Sequence, residues 1–136
     1  HQVEQSITTH NHFSLFQRLD SLLAGDKLRS LRILQQLKVE GTELLLLSAT
    51  LSSEIQKLLK LSYQSMHTPL PQLLNQHQPK LWASKQELMS NALRRLNTQQ
   101  LEQLLIQCAE LEVAVKVENE GDNWLTLELM SATFYT

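Results

Sequence analysis

Apolar positions recur at three- and four-residue steps along most of this chain, the spacing that lines one side of an α-helix. A first helix is predicted from Ser14, whose hydroxyl can cap it while Gln17 reaches back, with Phe16, Leu19 and Leu23 on one face. Gly25 supplies a left-handed stop, and Asp26 caps a second helix that runs to about Glu40. In that helix Leu28, Leu31, Leu34 and Leu37 are expected to face inward, with Lys27, Arg29, Arg32 and Lys38 around the polar side. So short a linker makes the two an antiparallel hairpin. Gly41 ends the second helix, Thr42 starts the next, and a third helix from Glu43 to about Ser65 opens with four leucines. A helix apolar on every side at one end should be buried there on every side, in its own core or against a partner. Leu44, Leu47, Leu51, Ile55 and Leu58 form its inner stripe, while Lys57, Lys60 and Gln64 lie outside.

The segment His67-Thr-Pro-Leu-Pro breaks the pattern. Thr68 is expected to cap a short helix with Pro69 and Pro71 in its first turn, where a missing N–H is harmless, and Pro79 ends that segment. Ser84 and Glu87 have the spacing of a capping box for a helix that buries Leu88, Met89, Ala92, Leu93 and Leu96. Asn97 and Gln100 make a second box, with Leu96 and Leu101 placed as a hydrophobic staple. Leu101, Leu104, Cys108, Leu111 and Val115 then follow at the narrow spacing of a helix-packing seam. Beyond it two readings compete. Val113, Val115 and Val117 alternate, as do Leu125, Leu127 and Leu129 across the turn-like ENEGDN, so a β-hairpin fits the pattern. Two helices joined by an acidic loop fit better, because Val115 continues the helical seam and a lone hairpin would leave two uncovered edges.

Composition agrees with long helices and short connections: 30 of the 136 residues are Leu and 15 are Gln, against three Gly and three Pro. A chain of this size can bury a real core as one domain. The single cysteine rules out an internal disulfide framework and suits a reducing cytosol. No apolar run approaches the roughly 18 residues of a membrane span, and no signal peptide opens the chain. It begins HQVEQSITTHNHF, without an initiator methionine, and is read as a piece of a longer protein: residues 1–11 as linker, 12–136 as a single domain. Charge is split. Residues 1–100 carry 11 Lys/Arg against 7 Asp/Glu, a net +4, whereas residues 101–136 carry 1 against 7, a net −6. A nucleic-acid module would show a dominant basic face, whereas surfaces of opposite sign suit pairing with neighbouring proteins.

Candidate chemistry is sparse. His1, His10, His12, His67 and His77 are scattered without a metal-like spacing, and Cys108 lies on an apolar stripe as a small core residue. Neither a Walker A motif nor a dinucleotide fingerprint occurs. Glu110 and Glu112 face different sides of their helix, and Trp82 and Trp124, each near a helix start, read as packing lids. The expectation is a domain with no catalytic residues, no cofactor and no metal.

Three segments carry a resemblance: LRILQQLKVEG at 31–41, SMHTPL at 65–70 and ALRRLNTQQL at 92–101. In this order and spacing they resemble the C-terminal, or collar, domain of the bacterial DNA polymerase III delta subunit, collinear from about Phe13 to Phe134. The resemblance implies an all-α, compact bundle of about six to seven helices, of the clamp-loader collar type, that follows two AAA+-like domains. It implies joining delta to the gamma/tau and delta-prime subunits in the bacterial cytoplasm, at the replisome. The sliding clamp and DNA would be reached only through the complex or the N-terminal domains, with no membrane partner. No ATP-site or clamp-wedge residue carries over, and the acidic stretch from Glu118 to Asp122 disfavours close approach to template phosphates. Arg29, Arg32, Lys57, Lys60 and Tyr63 are the expected interface residues. A free-standing helical adaptor, binding another helix in a groove, would share the same patterning.

Overall fold

A computed structural model describes residues 15, 18–117 and 122–135. Every regular element among them is helical. A first helix, α1 (18–23), is followed by α2 (Lys27–Val39), α3 (Leu44–Gln64), α4 (Leu70–Gln76), α5 (Ala83–Arg95), α6 (Thr98–Lys116), α7 (Asn123–Ser131) and a terminal 3-10 turn (Ala132–Tyr135). The predicted cap at Ser14 with Gln17, the packing of Phe16, the linker at 1–11 and most of the acidic stretch, 118–121, lie outside the described residues.

The centre of the bundle is the pair α3 and α6. Ser48 Oγ donates to the Cys108 carbonyl at 3.4 Å, while fourteen residues further along α3, Ser62 Oγ lies 2.6 Å from Thr98 Oγ1. Numbers that rise on one helix and fall on the other make the pair antiparallel. Both partners bring a stripe at helical spacing: Leu47, Leu51, Ile55 and Leu58 meet Leu101, Leu104, Cys108 and Leu111, all essentially inaccessible to solvent. Each such leucine contributes about 1.5–3 kcal/mol on burial, so this seam dominates the fold. Around it, α4 and α5 pack on α3, α7 packs on α6, and α2 reaches α7.

α1 and α2 form the predicted hairpin. Arg18, at the start of α1, bonds Glu40, at the end of α2, at 2.6 Å, while Ser30 Oγ reaches the Ser21 carbonyl at 3.4 Å close to the turn. Asp26 caps α2 as expected, its Oδ1 accepting the Arg29 N–H. At the far end Gly41, at φ 78°, donates to Lys38 O, and Thr42 N–H reaches back to Leu37 O. Those two bonds are a Schellman motif. They draw Thr42 into the end of α2, so the expected start at Thr42 is not made: Glu43 occupies the cap position of α3, with no side-chain bond.

Other expectations need correction. Leu28 is 66% exposed rather than inward, and Ser30 is buried in its place. A strict three-residue step falls about 60° short of a turn each time, so four leucines at that spacing cannot share one face; Ser30, Leu34 and Leu37 do. Of the four leucines that open α3, Leu47 belongs to the domain's own core and Leu44 packs on it, while Leu46 remains 36% exposed, the position at which burial against a partner would apply. Thr68 does not cap α4; Pro69 holds that position, and the Thr68 N–H is spent on Gln64 O. The Ser84–Glu87 box is absent because α5 starts earlier than its spacing required, with Trp82 as N-cap. Gln86 Nε2 instead reaches back to Leu81 O at 3.1 Å. Trp82 itself is 83% exposed and covers nothing, whereas Trp124 does pack on the core.

The Asn97–Gln100 box forms in full, with both reciprocal bonds, at 2.9 and 2.7 Å. Leu96 and Leu101 are both buried, as the staple requires. The ambiguous C-terminal stretch resolves to helix: α6 carries Val113 and Val115, and α7 starts at Asn123 under a cap from Asp122 Oδ1 to the Leu125 N–H. No helix among the described residues is long and apolar enough to cross a membrane.

Candidate partner interface

The only sulfur nucleophile of the chain is sealed in the core. Cys108 is fully buried between α3 and α6, and that burial, reinforced by the nearby Glu112 carboxylate, pushes its thiol up to about 12. His67 is exposed, and the His77 ring lies 2.8 Å from the carbonyl of Pro79. What the surface offers instead is helix faces.

The five expected interface residues do not come together as one patch. Arg29 and Arg32 are exposed on the outer side of α2, next to Leu28. Lys57 and Lys60 lie on α3, which packs chiefly against α6. Lys57 is exposed but engaged: its Nζ stands 3.5 Å from Glu54, a carboxylate only 3% exposed. Tyr63 is turned about 120° around α3 from Lys57 and donates its hydroxyl to Glu102 on α6 at 2.5 Å. That bond raises the tyrosine pKa above its ordinary value, since it would be lost on ionisation beside a carboxylate. Tyr63 therefore clasps α3 to α6, and Lys60 alone of the three points freely outward.

A second surface was missed in the sequence. Besides its buried seam, α6 has an opposite, solvent-facing line: Glu102, Ile106, Glu110, Val113 and Val117, each three or four residues from the next and all exposed. Ile106 is 52%, Val113 61% and Val117 68% exposed. A helix inside a two-layer packing needs one apolar stripe, and α6 carries two. The signal was present in the sequence as apolar residues on both sides of one helix, but Val113 and Val117 also fitted a strand alternation.

Between α6 and α7 lies a cleft of about 450 Å³. Gln107, Glu110 and Leu111 line it from α6; Asn123, Leu129 and Met130 line it from α7. Gln107 Oε1 is itself inaccessible to solvent and has no hydrogen-bond partner among the described residues. Leu129 of this lining and Leu125, one turn earlier on α7, are both exposed.

A family model described as the processivity clamp loader gamma complex DNA pol III C-term matches residues 15–135. The DNA polymerase III subunit delta of Escherichia coli (strain K12) is 38% identical over 130 residues, covering 96% of this chain and 37% of the relative. The DNA polymerase III subunit delta of Haemophilus influenzae (strain ATCC 51907 / DSM 11121 / KW20 / Rd) is 30% identical over 136 residues, covering 95% and 38%. The chain thus spans a little over a third of the length of these relatives.

Proposed function

Because the chain belongs to the family of DNA polymerase III clamp-loader C-terminal domains, as a delta-type member, we propose that it is a non-catalytic collar domain that joins delta to gamma/tau and delta-prime. In this reading residues 12–136 form one assembly module of a longer subunit, at work in the bacterial cytoplasm. The sliding clamp and primed DNA are reached only through the assembled complex or other domains of that subunit.

The observation that carries the proposal is the double-sided α6. Its inner stripe completes the domain's own core, and its outer stripe of Ile106, Val113 and Val117 has no cover from the described residues. Apolar side chains aligned along a rigid helix are what a subunit contact needs at its centre. The flanking Glu102 and Glu110 would then select a partner with basic residues at the rim. Arg29, Arg32, Lys57, Lys60 and Tyr63 are proposed as peripheral contacts, with Tyr63 acting mainly by holding α3 and α6 in register. Size-exclusion chromatography of the full-length subunit with gamma/tau and delta-prime tests the reading. Co-elution of all three supports it; independent elution at micromolar concentration removes it and leaves a free-standing helical adaptor. Tight, steeply salt-dependent binding of the domain alone to DNA would instead favour a nucleic-acid module.

A further inference from the structure

We propose that the groove between α6 and α7 receives a single amphipathic helix with basic flanks from a neighbouring subunit. The inference rests on the assembly reading above and adds α7 as the second wall of that contact. The groove, about 450 Å³ in volume, is lined by short side chains on both helices, Ala114 on α6 and Thr126 on α7. Leu111 and Met130, both buried, give it apolar wall, and Leu129 lines it while remaining 68% exposed. Neighbours at helical spacing extend this apolar lining along each helix. Val117 lies three residues beyond Ala114, and Leu125 one turn before Leu129; both are exposed.

Two features choose the occupant. Every regular element among the described residues is helical, so this surface offers rows of side chains rather than a sheet edge to an extended segment. Those rows repeat at helical steps: Ile106, Val113 and Val117 stand seven and four residues apart on α6, about 16 Å or three turns in all. A helix lying along them meets them with apolar residues at i, i+4 and i+7. Charge then sets its flanks. Residues 101–117 and 122–135 carry five carboxylates, Glu102, Glu110, Glu112, Asp122 and Glu128, against Lys116 alone. None of the five forms a salt bridge among the described residues, whereas Asp20, Glu40 and Glu54 each hold a lysine or arginine. Glu110 lines the groove itself and is exposed. An occupant with Lys or Arg beside its apolar seam supplies the missing counter-charges, and an acidic one is repelled.

The test measures dissociation constants of the full-length subunit for gamma/tau and for delta-prime. Leu129→Lys and Glu110→Lys change exposed side chains, so their melting temperatures should stay at the wild-type value. Val39→Lys, at an 86% exposed position on α2, controls for an added lysine. Leu129→Lys should weaken binding to one partner about tenfold or more. Glu110→Lys should weaken the same partner about threefold to tenfold, a loss that shrinks as salt is raised, while Val39→Lys leaves it unchanged. A photo-crosslinking residue in place of Leu125 should capture from that partner a segment with apolar residues at i, i+4 and i+7 and lysine or arginine between them. Wild-type assembly with both groove variants binding within twofold of it overturns the groove and leaves the collar reading standing. So does an equal loss in Val39→Lys, or capture of an acidic segment or of none. Absence of wild-type binding to either partner overturns both.

Discussion

Arg95 is where a single side chain holds most of the periphery together, and its removal has a calculable cost. At the end of α5 it donates Nη1 to the Phe134 carbonyl at 2.5 Å, Nη2 to the Leu23 carbonyl, and Nε to Asn91 Oδ1 at 3.1 Å. It therefore ties α1, α5 and the terminal 3-10 turn to one point. In Arg95→Ala the Asn91 side chain can turn to water, but the carbonyls of the buried Leu23 and Phe134 lose a charged donor. A hydrogen bond to a charged group contributes about 1.5–3 kcal/mol. Two give about 3–6 kcal/mol, and partial access of water to the site favours the lower end, about 3 kcal/mol. For a domain of this size that is roughly a 10 °C fall in Tm, or a drop of about 1–2 M in the urea midpoint, read by far-UV circular dichroism. Arg95→Lys should recover about one bond's worth. Gly25 supplies an internal control, because at φ 79° a Cβ there would approach Arg95 Cζ to 2.8 Å and Phe134 O to 3.0 Å. Gly25→Ala should thus cost more in the wild type than in Arg95→Ala, where only the left-handed backbone penalty of about 1–2 kcal/mol and the Phe134 contact remain. An Arg95→Ala protein within about 1 kcal/mol of wild type, or a Gly25→Ala cost indifferent to Arg95, would refute this reasoning.

Three further outcomes are expected. Glu54, only 3% exposed, is neutralised by Lys85 at 3.4 Å and Lys57 at 3.5 Å, and Lys85 also holds Asp20 at 2.5 Å. Lys85→Met should therefore cost about 3 kcal/mol and the double variant with Glu54→Leu much less; equal costs in urea titrations would show the ion pairs to be idle. The Arg18 guanidinium, first by its hydrogen bonds and then by its charge, holds Glu40 below its ordinary pKa, with Gln36 helping. A depressed carboxylate contributes stability above its unfolded pKa and loses it as pH falls through the folded value. The gap between wild type and Arg18→Gln should be present at neutral pH and close in acid; a gap that persists at the lowest pH would contradict the pairing. Cys108, buried with its thiol pushed up to about 12, should label with iodoacetamide at pH 8 only at the rate of unfolding, and rapid native-state labelling would place it elsewhere.

The helices were legible because their signals are local. The Asn97–Gln100 box, the Asp26 cap and the positive-φ glycines at 25 and 41 each act within a few residues, so the sequence shows them directly. Helix starts are less legible: Thr68 and Ser84 have the chemistry of a cap, yet α4 and α5 begin beside them, with Pro69 and Trp82 in the cap positions and no side-chain cap bond. Leu28 lies off the inward face because a constant three-residue step drifts around the helix. Contacts between distant segments left no trace in pattern. Glu54 with Lys85, Tyr63 with Glu102 and the unpaired Gln107 depend on which helices meet, which periodicity alone does not specify. The outer stripe of α6 stayed hidden because a helix apolar on two sides has weak amphipathicity, and its valines fitted strand alternation as well.

The central claim is that α6 faces inward to a core and outward to another subunit. It is tested most directly by Ile106→Gln with Val113→Gln in the full-length subunit, both positions being more than half exposed, so that the domain's own fold is spared. Affinity for gamma/tau and delta-prime, measured beside an unchanged melting temperature, decides. The account predicts a loss of about 30-fold or more towards at least one partner, the scale of a single interface hot spot. Wild-type affinity for both partners in the folded double variant would contradict it.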